Sequence, residues 1–154
     1  MKSSFHIEVK ASGAEVAGRG TGMDEAGVRH KAEVIDSAIE KHGLRGASAM
    51  DVAEAVGGFE IARTAGFLME AGRLRLPVML DGFITGAAAM IAVAMEPATR
   101  GVLLFSHRSS ERGHGLMLEK LDGDPLLELG MRLGEGSGAI LGMHLMSCAV
   151  TLYR

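Results

Sequence analysis

Apolar side chains recur every three or four positions at Val28, Ala32, Ile35 and Ile39, a spacing that predicts one helix with a single apolar stripe, running to about Lys41. Arg29, Lys31, Glu33 and Glu40 fall opposite that stripe. Thr21-x-x-Asp24 resembles a capping box ahead of it, and Gly43 stands where a helix stop is expected. The polar stretch before Gly22 predicts a lead-in without an element of its own. Ser48-x-x-Asp51 opens a short second helix that Gly57-Gly58 ends, and Phe59 to about Ala71 reads as a third.

The pattern changes at Pro77. Val78-Met79-Leu80 is a short apolar run closed by Asp81-Gly82, and an Ala-rich helical stretch then reaches Met95 and stops at Pro97. A second apolar run, Val102 to Phe105, gives way to the polar residues Ser106 to Gly113. Strand, helix and strand within about 30 residues make a βαβ unit, whose strands must be parallel and whose crossover is expected to be right-handed. Ligands of open α/β sheets bind beyond the carboxyl ends of the strands, so Asp81-Gly82 and Ser106 to Ser109 are expected to be neighbours on a ligand edge. Helices are expected from Gly113 to Leu121 and from Asp124 to Leu129, followed by a glycine-rich loop around Glu135 and an apolar helix from about Ser137. Two strands do not complete a sheet. Either further strands escape the pattern or the chain is part of something larger.

A length of 154 residues with 47% apolar content suits one domain with a real core, so residues 1–154 are expected to form a single domain. Eleven Met, 22 Gly and no Trp point to closely packed helices with many glycine turns. A net charge of −3, with both signs interspersed, leaves no basic stripe for a phosphate backbone and argues against nucleic acid as a partner. The single cysteine, Cys148, lies in the apolar segment 139–150, where burial as a small hydrophobe is expected. The start, Met1 to Glu8, lacks the apolar core of a signal peptide, and the two longest apolar helices are too short and interrupted to span a bilayer. They are expected to be buried helices of a soluble, cytoplasmic protein with no membrane partner.

Several motif readings fail on spacing. Gly18-Arg-Gly-Thr-Gly22 lacks the third glycine of a dinucleotide fingerprint, and no glycine loop ends in the Lys-Ser/Thr of a P-loop. Ser137 lacks the flanking glycines of a nucleophile elbow. The six His residues show no paired spacing with Cys or carboxylates, so no metal is expected. What remains is Met131 to Gly138, which presents Glu135 between Gly134 and Gly136 just before an apolar helix. Glycines leave no side chains around that carboxylate, so a small molecule can approach it. The alternative is a glycine turn capping the helix, with Glu135 favoured by the positive end of its dipole. Val78 to Gly86 superficially resembles the pyrophosphate-ribose motif of ordinary phosphoribosyltransferases, with one acid where that motif has two. His107 reads as a hydrogen-bonded turn residue, and Lys31 as a charge on the polar helix face.

Taken together, Gly20-Thr-Gly-Met-Asp24, Arg29-His-Lys31, Val56-Gly-Gly-Phe59, Leu80-Asp-Gly-Phe83, Ser106-His-Arg-Ser109 and Met131-Arg-Leu-Gly-Glu-Gly-Ser-Gly138 occur in one order. In that order they resemble the C-terminal part of the nicotinate-nucleotide:dimethylbenzimidazole phosphoribosyltransferases of cobalamin synthesis. The resemblance covers nearly all of the chain. It implies an α/β fold with a parallel sheet flanked by helices, a homodimer, no metal or other cofactor, and transfer of phosphoribose from nicotinate mononucleotide to dimethylbenzimidazole. A neutral benzimidazole has one nitrogen lone pair to attack the anomeric carbon and one N–H to lose, so a carboxylate can act as general base. The resemblance gives that role to Glu135, with Gly134 and Gly136 beside it. It sets Leu133 against the base with Ser109 nearby, brings Lys31 to the phosphate or ribose, and puts Asp81 and Gly82 on the nucleotide side. The chain corresponds to somewhat less than half of a usual member, without the Gly-Ile-Gly-Asn-Thr-type phosphate loop. A rival reading follows, in which a truncated relative serves as a noncatalytic binding or assembly module, or pairs with a missing amino-terminal half.

Overall fold

The computed structural model describes residues 11–20, 22–131 and 133–153. The expected polar lead-in holds a one-turn helix, α1 (Gly13–Val16), too short for periodicity to reveal. Glu15 accepts from the Ser12 N–H and hydroxyl at its start, and the Gly13 N–H donates to Asp36 Oδ1 at 2.7 Å, docking α1 on the next helix. That helix, α2 (Glu25–Lys41), begins where Asp24 accepts from the Gly27 N–H at 2.8 Å, which satisfies one of the free first-turn donors. The cap expected of Thr21 lies outside the described residues. The expected stripe faces inward, with Ala32 and Ile39 buried and Val28 and Ile35 half-buried. Gly43, at φ 61°, turns the chain away at the expected place.

The Ser48–Asp51 pair caps α3 (Ala49–Val52) reciprocally, through Asp51 N–H to Ser48 Oγ at 3.2 Å and Ser48 N–H to Asp51 Oδ2 at 3.1 Å. A π-helical stretch, Ala53–Gly57, follows, and α4 (Gly58–Leu74) restarts at the break. The parallel sheet is small: β1 (Val78–Leu80) pairs with β2 (Leu103–Phe105), Val78 opposite Leu103 and Leu80 opposite Phe105. Helix α5 (Phe83–Met95) connects them through a 3₁₀ turn at Pro97–Val102. Its Ala88, Ala89 and Ala92 are fully buried, and such small side chains let it pack closely on α4, in one core with Ala65 and Leu68. Burying a side chain such as Leu68 is worth about 1.5–3 kcal/mol.

Two expectations fail here. Residues 124–129 are not helical: Leu126 N–H donates to Phe105 O, Arg108 N–H donates to Leu127 O, both at 2.9 Å, and His107 bridges Leu127 in parallel. The free edge of β2 offers the Leu126 N–H and the Leu127 carbonyl partners outside any helix. The segment is the rudiment of a third strand. After α6 (Arg112–Lys120), the last helix, α7 (Ser137–Tyr153), departs from its expected burial. Only Gly138 and Gly142 of it are buried, while Ile140, Met143, Leu145, Leu152 and Cys148 are exposed. Its approach to the sheet is made through those glycines, and nothing else among the described residues covers it. No helix among the described residues is long and apolar enough to cross a membrane.

Candidate functional site

The parallel pairing does what the topology demands and brings the turns after β1 and β2 to one edge. Ser106, fully buried, continues the ladder by donating its N–H to Leu80 O at 3.1 Å and its hydroxyl to Asp81 O at 2.9 Å. The 81–82 and 106–109 turns are thereby locked together. The third turn reaches the same edge through α7, whose Ala139 N–H donates to Asp81 Oδ1 at 3.1 Å. A carboxylate beside the first turn of a helix also meets the positive end of its dipole. Asp81 is therefore a fastening between β1 and α7 as well as a group at the edge of the cleft.

Glu135 sits in a left-handed run, with φ 77° at Gly134, 55° at Glu135 and 75° at Gly136. Glycine adopts such φ freely, whereas a residue with a Cβ pays about 1 kcal/mol or more. Ser137 closes the turn, donating both its N–H, at 3.0 Å, and its hydroxyl, at 2.7 Å, to Gly134 O. The exposed carboxylate is thus carried on a strained turn of fixed shape directly before α7, an arrangement often found where strain serves a site.

One cavity of about 640 Å³ is bordered by Lys31, Asp81, Gly82, Ser109, Gly134, Glu135 and Gly136. Of the site residues singled out in the sequence, only Leu133 is missing from its wall. Leu133 is 78% exposed, because the left-handed turn that begins at Gly134 leaves it on the outer side. Phe83 and Ile84 give the cavity an apolar side, and with Gly82 and Thr85 they bring the start of α5 to it. The first N–H groups of a helix have no partner within it, so this end of α5 suits an anion. Lys31, across the opening on α2, is exposed, with Nζ 3.5 Å from Gly18 O.

Two histidines underlie this surface. His107 is 3% exposed, its Nε2 is 3.9 Å from Asp81 Oδ1, and its Nδ1 is buried without a hydrogen-bond partner. It is a buried neighbour of the cavity rather than the hydrogen-bonded turn residue read from the sequence. The only hint was its place just past β2. His114, buried on α6, accepts the Ser109 N–H at Nδ1 at 2.9 Å. Burial, followed by the nearby charges of His107 and Arg108, pushes its pKa down to about 4, which keeps the imidazole neutral and the acceptor available. Ser109 Oγ accepts from the Glu111 N–H at 3.3 Å, leaving its own proton free to donate into the cavity. Among the described residues no group of three or more His, Cys, Asp or Glu side chains is gathered as a metal site requires.

Comparison with known proteins adds an independent line. A family model described as "Phosphoribosyltransferase" matches residues 5–154. The nicotinate-nucleotide–dimethylbenzimidazole phosphoribosyltransferase of Pseudomonas putida (strain GB-1) is 48% identical over 140 residues, 91% of this chain and 40% of that relative. The protein of the same name from Bradyrhizobium diazoefficiens is 48% identical over 143 residues, covering 93% of this chain and 41% of the relative. The crystal structure of CobT from Thermus thermophilus superposes with a TM-score of 0.83 at 41% identity, over 90% of this chain and 41% of that one. The chain thus spans about two fifths of the length of these relatives.

Proposed function

Because the chain belongs to the dimethylbenzimidazole phosphoribosyltransferase family, we propose that it contributes the base-bearing half of a site that moves phosphoribose from nicotinate mononucleotide to dimethylbenzimidazole. The products are α-ribazole phosphate and nicotinate. The observation that carries this reading is the convergence of Glu135, Lys31, Asp81, Gly82 and Ser109 on one cavity from four separate segments. In this reading the start of α5 and Lys31 hold the phosphate, the helix through its free N–H groups and Lys31 as a point charge. The Ser109 hydroxyl donates to a ribose oxygen. One benzimidazole nitrogen forms the new bond to the anomeric carbon, and the Glu135 carboxylate takes the proton from the other nitrogen. The old glycosidic bond breaks with its electron pair returning to the pyridinium nitrogen, so nicotinate leaves neutral at that atom and needs no acid. Asp81 holds α7, and with it the turn bearing Glu135.

The same reading extends to a homodimer in the cytoplasm that supplies the nucleotide loop of cobalamin, with residues 1–154 as one domain. The exposed apolar side chains of α7 and α4, among them Ile140, Met143, Leu152, Phe59 and Phe67, support a need for further protein surface. They support equally the second reading, a noncatalytic binding or assembly module. Formation of α-ribazole phosphate by the purified chain, beside its Glu135→Gln variant, separates the two. Product from the first and none from the second establishes the enzyme. No product from folded wild-type chain overturns the reading of a self-sufficient enzyme and leaves half of a catalyst or a binding relative.

A further inference from the structure

The site described above is built from three turns, and one side chain of the second touches both the first and the helix that follows the third. A Cβ placed on Gly138 would lie 2.0 Å from His107 Cδ2 and 2.6 Å from Nε2, so the imidazole lies directly against the first turn of α7. A Cβ on Gly82 would be 3.1 Å from the same Nε2, and Asp81 Oδ1 is 3.9 Å from it. His107 itself belongs to the turn after β2. From this geometry we propose that His107 is a positioning residue for Glu135: its ring is the spacer that sets the height of α7, and hence of the Gly134–Gly136 turn, above the 81–82 turn.

First, the contact is one of shape. Gly138 lies three residues after Glu135, and the turn between them is closed by the two Ser137 bonds to Gly134 O and by Ile140 N–H to Gly136 O at 3.0 Å. A shift of α7 at Gly138 is therefore passed to Glu135. Second, the alternative fastening runs through the same place, because Asp81 Oδ1 accepts the Ala139 N–H while facing His107 Nε2. Ring and carboxylate together bracket the helix start. Third, His107 is a costly choice for a mere filler. Its Nδ1 is buried without a partner, a desolvation cost that an apolar side chain would not carry. An orphaned polar atom in a buried place calls for a reason, and a flat ring with a nitrogen facing Asp81 supplies one. The catalytic consequence rests on the reading of Glu135 as the base, but the positioning itself does not.

The test separates the two. Backbone hydrogen exchange over residues 133–142, without substrates, reads the position and order of the turn whether or not the chain makes product. In His107→Ala, exchange there is expected to rise at least tenfold while β1, β2 and α5 keep wild-type protection. A methyl on Gly138 supplies a second, reciprocal probe. Gly138→Ala is expected to disturb residues 133–142 in the wild-type chain and to restore their protection in His107→Ala, where the methyl enters the space the ring has left. Where product forms, His107→Ala is expected to lower kcat about ten- to a hundredfold, the scale of a misplaced reacting group, with little change in KM for nicotinate mononucleotide. Unchanged exchange in folded His107→Ala overturns the proposal, as does a Gly138→Ala effect that is the same in both backgrounds. If His107→Ala does not fold, His107→Asn takes its place. Global unfolding of both also overturns it, since His107 would then serve the whole core rather than this turn.

Discussion

Stability should fall with acid in a way traceable to one buried imidazole, His114. In the folded chain its pKa is held down at about 4, against 6.5 for a free histidine. Above pH 6.5 the group is neutral in both states and contributes nothing. As pH falls below 6.5 the unfolded chain takes up a proton that the folded chain refuses, so the unfolded state is favoured. Each pH unit between the two pKa values adds about 1.4 kcal/mol, so the penalty grows to about 2 kcal/mol at pH 5 and levels off near ~3 kcal/mol below pH 4. Urea unfolding followed by circular dichroism at several pH values between 7.5 and 4.5 measures it. Other groups titrate in the same range, so the informative quantity is the difference between the wild type and His114→Gln. Glutamine keeps an oxygen to accept the Ser109 N–H but takes up no proton. The wild type should lose about 2 kcal/mol more than the variant between pH 7.5 and 5. Parallel curves would refute the reasoning, because they would mean that His114 is protonated in the fold or never buried enough to resist it.

Other consequences can be measured on the same chain. Gly138→Ala would ordinarily stabilise a helix by up to about 1 kcal/mol; here the clash with His107 reverses the sign to a loss of about 1–3 kcal/mol, read from thermal melting. Glu135→Gly should raise stability by about 1 kcal/mol, read from thermal melting, because it relieves a left-handed residue that carries a Cβ. Asp81→Ala removes the acceptor for Ala139 N–H and should cost about 1–2 kcal/mol in urea unfolding, with faster exchange at the start of α7. Arg100→Met should cost about 1.5–3 kcal/mol, because Arg100 donates to the carbonyls of Leu121 and Asp122 and lies 5.0 Å over the Phe105 ring.

The ligand edge was legible because it follows from few rules. Strand, helix and strand between Val78 and Phe105 require parallel pairing, and parallel pairing carries Asp81 and Ser106 to the same side whatever else surrounds them. Helix α2 was legible for a similar reason, since its stripe repeats over about three turns. What escaped were features set by tertiary partners. Residues 124–129 have enough leucine to read as a helix, but the open side of β2 decides otherwise. His107 gives no local sign of burial, for its surroundings are assembled from residues 81, 82 and 138. The exposure of Leu133 was not legible because the direction of a side chain before a left-handed turn depends on φ at the glycine, which composition does not state. The exposure of α7 was invisible because its apolar residues encircle the helix and promise burial, whereas only Gly138 and Gly142 of it are buried.

Resting on two glycines near one end, α7 is a see-saw. Its fulcrum at Gly138 and Gly142 spans one turn, while Tyr153 lies about 16 Å beyond it at 1.5 Å per residue. A tilt of about 10° around Gly142 would swing the far end by ~3 Å and lift the Glu135 turn by ~2 Å the other way. About 1 Å of misplacement can cost a hundredfold in rate. A contact at the outer end of this helix would therefore move the Glu135 carboxylate without touching it.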